Sequence, residues 1–124
     1  MKDSPFDNWY IVSVIERVAW NDPSGDEDEE APTWENYHLV RATKADEAFD
    51  KAKALYDDPT PTTFDERKGQ WEFVGVRELL PIYEPLEDGS EIMFTDRSPS
   101  TKSEAERLTF SKAEIVRYLT KAKK

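Results

Sequence analysis

Three groups of side chains in this sequence could carry chemistry, and the first is its single histidine, His38. A histidine can act as a general base or as a metal ligand near neutral pH. The chain has no cysteine and no second histidine, so a metal at His38 would need carboxylates alone as its other ligands. A partly exposed strand histidine is the simpler interpretation. The sequence therefore predicts no catalytic residue, no metal site and no cofactor.

The second group is a run of five consecutive acids. Its spacing lacks the alternating aspartates and the glycine of a calcium-binding loop. A tryptophan flanks the run on each side, and aromatic side chains beside charge are typical of protein interfaces. The run is therefore either a solvated loop or a segment that binds a partner. The predicted partner-binding residues are Trp20, Asp26, Glu27, Asp28, Glu29, Glu30 and Trp34.

The third group consists of four acids around the Asp88-Gly89 turn: Glu84, Glu87, Asp88 and Glu91. Paired carboxylates can do acid–base work where a concave site desolvates them. The tip of a hairpin is convex and hydrated, so no catalysis is expected there. Phosphate-binding glycine loops, Ser–His–Asp spacings and zinc patterns are also absent from the sequence.

Charge is unevenly distributed along the 124 residues, whose net charge is -10. Residues 1–96 hold nine of the 17 bases and 24 of the 27 acids, whereas residues 97–124 hold eight bases and three acids. A body this acidic repels phosphate backbones, which disfavours nucleic-acid binding. Without cysteine, a signal peptide or a run of about 20 apolar residues, we expect a cytoplasmic protein with no membrane contact.

The apolar pattern predicts the elements that would position these groups. Residues 9–20 alternate as a strand, residues 21–33 form a mobile polar loop, and residues 35–42 form a second strand. A helix follows, capped by Thr43, with a stripe rich in alanine. Because glycine in a strand often marks a close approach, Gly75 is expected to lie under this helix.

After a loop at 57–70, the sequence predicts strands at 71–77 and 79–84 and a third at 92–94. Residues 95–103 form a linker, and residues 104–124 form a basic C-terminal helical segment. Ser111–Glu114 is the capping box of its amphipathic helix, and Ser103–Glu106 is a second possible cap that would add a short turn before it. The order β-β-α-β-β-β-α gives a single α+β domain. An antiparallel-rich sheet of about four to five strands carries one helix across a face.

Several stretches together resemble a bacterial family known only as domain of unknown function 4288. They cover most of residues 9–94 and leave out the C-terminal helix. The family has no assigned activity, so the resemblance implies the fold and no active site. The stretches are residues 9–14, residues 35–42 with Ala48 and Ala52, residues 71–76 and residues 80–92.

The leading hypothesis is a non-catalytic acidic module that binds a basic protein partner, with an inhibitor or immunity-type protein as one form of it. One alternative is a small-ligand or enzymatic domain that uses the sheet face not covered by the first helix. Its ligand-facing residues would be His38, Arg41, Trp71, Phe73 and Tyr83. The other alternative is a self-associating structural subunit, with a homodimer as its simplest form.

Overall fold

The computed structural model describes residues 8–26 and 28–121. The predicted partner-binding residue Glu27 and the last three residues of the predicted C-terminal helix lie outside the described residues. The chain divides into two compact units, residues 1–94 and residues 95–124, and each is described by itself.

The first unit is built around β1 (Trp9–Trp20), which pairs antiparallel with β2 (Thr33–Arg41). Valine and isoleucine dominate the first half of β1, where side chains on both faces are buried. Val12 lies opposite His38 and Val14 lies opposite Asn36. We call the face that carries these four side chains the helix face, and the opposite face, with Tyr37 and Leu39, the open face.

The remaining strands are β3 (Thr60–Phe64) and β4 (Arg67–Pro81), and the sheet order is β2-β1-β4-β3. β3 lies inside the segment that the sequence analysis assigned to a loop, so that prediction was wrong. Its Pro61 is tolerated because β3 has a strand on one side only. The connecting turn places Asp65 and Glu66 at φ 48° and 67°, a conformation usually signalled by Asn-Gly.

β4 is one continuous strand of 15 residues where the sequence analysis expected two. Its register with β1 shifts twice. Val74 and Arg77 therefore have no residue opposite them on β1, and β4 bulges at each of these positions. The buried Ser13 hydroxyl accepts a hydrogen bond from the Glu78 backbone N–H at 3.1 Å, beside the second bulge. The bulges let the strand bend without ending. Residues 92–94, predicted as a strand, are not one.

The helix α1 (Ala45–Ala54) packs on the helix face through Ala48 and Ala52, which are fully buried. Alanine lets the helix lie close to the valines of β1 and to Val40 of β2. The N-cap is Lys44 and makes no side-chain cap. The prediction of Thr43 as the cap was therefore wrong, and the Thr43 hydroxyl donates to the Glu47 carboxylate instead.

The prediction that α1 covers Gly75 was also wrong. Gly75 lies opposite Ile15, on the open face, and a Cβ added to it would meet no atom within 4 Å. The close approach is at Gly69, where an added Cβ would lie 2.7 Å from both the Ala19 carbonyl oxygen and Val18 Cγ1.

The second unit contains two helices, α2 (Lys102–Glu106) and α3 (Lys112–Lys121). α2 begins at a capping box of Thr101 and Glu104, two residues before the Ser103 cap considered from sequence. The box at Ser111 and Glu114 is confirmed by reciprocal hydrogen bonds of 3.1 and 3.2 Å. The predicted linker therefore ends at residue 101, and the basic segment is two helices.

The fold class is confirmed as α+β, with a four-stranded antiparallel sheet, a helix after β2 and a C-terminal helix. No helix within the described part of the chain has both the length and the apolarity needed to cross a membrane.

Because its Cβ would collide with backbone, Gly69→Ala should lower the free energy of unfolding by about 1–3 kcal/mol. Gly75→Ala is the matched control in the same strand and should change it by less than about 0.5 kcal/mol. Urea unfolding followed by tryptophan fluorescence measures both. Equal effects of the two substitutions would contradict the packing described for Gly69.

Candidate functional site

Beyond the end of α1, the helix face carries a cluster of polar side chains, which we call the polar cluster: Glu16, Asn36, His38 and Tyr56. The Asn36 amide donates to the Glu16 carboxylate at 2.7 Å and to the Tyr56 hydroxyl at 3.3 Å. The Tyr56 hydroxyl also makes a short hydrogen bond with His38 Nε2. One tyrosine from the chain just after α1 therefore connects two residues of β2.

Burial raises the pKa of the Tyr56 hydroxyl, and the negative charge of Glu16 adds to this, while the hydrogen bond from Asn36 opposes it. Tyr56 therefore remains a neutral phenol at physiological pH. As a phenol it can accept from Asn36 and donate to His38 Nε2, an arrangement that satisfies both neighbours. The hydroxyl acts as a structural bridge between strand and helix end.

A row of aromatic rings, which we call the aromatic row, lies farther along the same face: Trp34, Trp71 and Phe64. The centroids of Trp34 and Trp71 are 5.9 Å apart, and Phe64 meets Trp71 edge to face at 5.8 Å. Phe73 packs between this region and Tyr56, at 6.0 Å from the Tyr56 ring. Trp34 keeps 39% of its surface exposed. The row therefore offers an aromatic surface to solvent.

Arg67, the first residue of β4, holds the acidic loop between β1 and β2. Its guanidinium lies 4.4 Å from the centroid of Trp20, a cation–π contact. The same group pairs with Asp22 at 3.0 Å and with Glu29 at 3.1 Å. The hydrogen bond from Arg67 is the main cause that lowers the pKa of Asp22. The two carboxylates in turn raise the pKa of Arg67.

Other hydrogen bonds attach the described residues of the loop, which is predicted from sequence to be mobile, to the sheet and to one another. Arg17 donates to the Glu29 carbonyl oxygen, and the Val18 N–H donates to the Pro32 carbonyl oxygen at 3.0 Å. The Asp26 carboxylate accepts from the Asp28 N–H at 2.9 Å, which closes a local turn. The loop is therefore attached to the sheet at both Glu29 and Pro32, directly before Trp34.

The predicted partner-binding residues thus fall into two sets. Glu29 and Trp20 are turned towards Arg67 and are partly buried, so they stabilise the loop. Asp26, Asp28 and Glu30 are exposed, as is Trp34 at the start of β2. Only the second set can reach a partner without the loop being displaced.

The ligand-facing residues of the alternative hypothesis do not meet on one face. Trp71 and Phe73 lie opposite Val18 and Glu16, so they belong to the helix face with His38, not to the open face as predicted. Arg41 of β2 pairs with Trp9 of β1, and its guanidinium lies over the Trp9 ring. Tyr83 is 83% exposed and lies beyond the end of β4.

Three residues of the site escaped the sequence analysis: Glu16, Tyr56 and Arg67. Glu16 interrupts the apolar alternation of β1, which is the one signal that could have marked a polar position on that face. Tyr56 had been assigned to the apolar stripe of the helix. Arg67 lay in a segment taken for a loop, so no strand geometry linked it to the acids. No group of three or more His, Asp or Glu side chains among the described residues is arranged to hold a metal ion.

A curled antiparallel sheet with one covering helix, a polar cluster and an aromatic row defines a small α+β domain. The chain belongs to the family described as Domain of unknown function (DUF4288), whose model matches residues 9–94. The match covers the four strands and α1 and ends where the first unit ends. No curated protein and no solved structure matches the chain.

Replacing Arg67 with Gln should move the pKa of Asp22 up towards its ordinary value of 3.8, because the hydrogen bond that lowers it is lost. Because the pKa of Asp22 is lowered in the folded state, its pairing with Arg67 stabilises the fold at pH values above the ordinary pKa of the carboxyl group. This contribution is lost as the pH falls through the pKa that Asp22 has in the folded protein. Carboxyl ¹³C NMR titration measures the midpoint. Lys68→Gln is the control for the loss of one positive charge and should leave the titration midpoint of Asp22 unchanged. An Asp22 midpoint that is the same in the Arg67→Gln and Lys68→Gln variants would contradict the role of Arg67.

Tyr56→Phe removes the hydroxyl that connects His38 and Asn36 and should lower the free energy of unfolding by about 1–2 kcal/mol. Tyr83→Phe removes a hydroxyl from a side chain that is 83% exposed and should change it by less than about 0.5 kcal/mol. Urea unfolding at pH 7 compares the two. A Tyr56→Phe variant as stable as the native chain would show that the cluster contributes nothing to stability.

Proposed function

We propose that this protein is a non-catalytic interaction module that binds a basic segment of a partner protein. The binding surface consists of the aromatic row together with the exposed acids of the loop. The observation that carries the proposal is the attachment of the loop to the sheet directly before the row: Pro32, whose carbonyl oxygen accepts from the Val18 N–H, precedes Trp34 by two residues. An inhibitor or immunity-type role in the cytoplasm, in which this surface occupies a basic site on another protein, is the form we favour.

The chemistry of the surface suits a lysine or arginine side chain. Tryptophan rings attract cations through their negative faces, and Trp34 exposes 39% of its surface beside Trp71. Asp26, Asp28 and Glu30 would surround such a group with negative charge. Complementary charge speeds association and excludes partners of the wrong sign. The overall excess of acids in residues 1–96 acts in the same direction at long range.

The attachment of the loop supports affinity as well as position. A mobile acidic loop would lose conformational freedom on binding, which costs affinity. Here Arg17 and Arg67 already hold the loop through Glu29 before any partner arrives. The single positive charge of Arg67 offsets part of the charge of Asp22 and Glu29, which lowers the repulsion between these two acids and the rest of the loop. The loop is therefore pre-organised for binding.

The hydrogen bonds of the polar cluster favour a binding role over a catalytic one. His38 Nε2 is engaged by Tyr56, and the Glu16 carboxylate accepts from Asn36. A general base needs its acceptor atom directed at a substrate proton. In this cluster the acceptor atoms are directed at neighbouring side chains instead.

The experiment compares two triple variants as bait for partners from a lysate of the native cell. Asp26→Ser, Asp28→Ser and Glu30→Ser remove the proposed contact. Asp57→Ser, Asp58→Ser and Glu87→Ser remove the same charge from exposed positions elsewhere. We expect a partner that the native chain and the control retain and the loop variant loses, with its Kd raised about tenfold at low salt.

A second arm uses the captured partner in purified form. Trp34→Ala should raise its Kd about 30-fold or more, as for a central aromatic anchor, whereas Tyr83→Ala should not change it. Binding should also weaken as salt rises above 0.15 M. Identical partners for both triple variants, or a Kd that is insensitive to Trp34 and to salt, would overturn the proposal.

A further inference from the structure

The second unit has an apolar surface and no core of its own. Every residue from 95 to 120 is exposed. A helix of ten residues such as α3 is marginally stable alone in water. Its apolar side chains follow helical spacing, with exposed fractions of 48% for Ile115, 73% for Tyr118 and 68% for Leu119. Together with Phe110 and Glu114 these residues line a groove of about 520 Å³.

The first unit has an apolar surface as well, on its open face. Tyr37 is 55% exposed and Leu39 is 53% exposed, two residues apart on the same side of β2. Charged groups lie close to this surface: desolvation of the hydroxyl, followed by the charges of Glu35 and Glu78, raises the pKa of Tyr37, and the charge of Arg77 opposes this. Arg77 also pairs with Glu35 at 3.6 Å. The open face is therefore an apolar patch with two carboxylates and a guanidinium nearby.

The charges of the two chain segments that carry these surfaces are complementary. Residues 97–124 carry eight bases and three acids, while residues 1–96 carry nine bases and 24 acids. An anionic membrane would attract the basic segment and repel the acidic body that is attached to it. A second copy of the same chain supplies a partly apolar surface on a body with an excess of acids. It also has a basic helix that needs the reciprocal contact.

We propose that α3 of one copy docks through Ile115, Tyr118 and Leu119 on the open face of a second copy, against Tyr37 and Leu39. When both copies do so, the result is a two-fold symmetric dimer in which each α3 is covered. The family match ends at residue 94, so the helix lies outside the domain that the family shares. The dimer uses the open face and leaves Trp34 and the acidic loop available, so it is independent of the function proposed above.

Analytical ultracentrifugation of the full chain at micromolar concentration tests the dimer. We expect a mass twice the 14.4 kDa of one chain. Ile115→Glu with Leu119→Glu should raise the dimer Kd at least about 100-fold and give a monomer. Ala113→Glu with Thr120→Glu adds the same charge on another side of α3 and should leave the dimer intact. The proposal is overturned if the native chain is still a monomer at about 100 µM, roughly the highest Kd that a working dimer would have.

The absence of cysteine from the chain allows a direct test of which surfaces meet. Leu39→Cys and Leu119→Cys are made in separate chains, mixed and oxidised. A disulfide-linked heterodimer in excess over either homodimer supports the proposed contact. Thr120→Cys replaces Leu119→Cys as the control and should link poorly. Equal yields from both pairings overturn the proposal. So does an internal disulfide in the chain that carries both Leu39→Cys and Leu119→Cys, because α3 would then dock on its own sheet.

Discussion

The pairing of β1 with β4 is the constraint on which the rest of the first unit depends. β4 is long enough to pair with β1 over nearly its whole length and with β3 at its beginning. Its two bulges, at Val74 and Arg77, allow the strand to bend instead of ending at a loop. The buried hydroxyl of Ser13 compensates the backbone at one bulge. Without this compensation the centre of the sheet would contain an unsatisfied amide group.

The bent sheet divides its helix face into two regions with different roles. At one end α1 packs its alanines against Val12, Val14 and Val40, which forms the core. At the other end α1 does not cover the face, and aromatic rings and polar side chains take its place. Tyr56 stands at the border, because it packs against the core and also hydrogen-bonds to the polar cluster. The site is thus a continuation of the core in which side chains remain accessible.

Arg67 links the architecture to the acidic surface. It begins β4, so its position is fixed by the sheet, and its guanidinium reaches back over Trp20 to the loop. A lysine would supply the charge without the planar contact to the ring or the several donors that Asp22 and Glu29 share. The acidic loop therefore takes its shape from a strand that lies far away in sequence.

The α+β class, β1, β2, α1 and the last helix could be predicted from sequence, because each has a strong apolar period or a capping pattern. β3 could not, since Pro61 and a turn of Asp65 and Glu66 are typical of loops. The exposed acids and Trp34 were predicted as candidates, but their separation from Glu29 and Trp20 was not. That separation depends on Arg67, and a pairing across 38 residues leaves no local trace.

The short β3 has one more effect on the behaviour of the protein. It covers β4 only from Arg67 to Trp71, so among the described residues no strand lies beside the outer side of Glu72–Pro81. Such an edge is a template for fibril growth in a concentrated solution. The same two bulges that bend β4 interrupt its regular hydrogen-bond spacing, and charged side chains lie along it. The two bulges that bend β4 therefore also protect the molecule against polymerisation through this exposed strand edge.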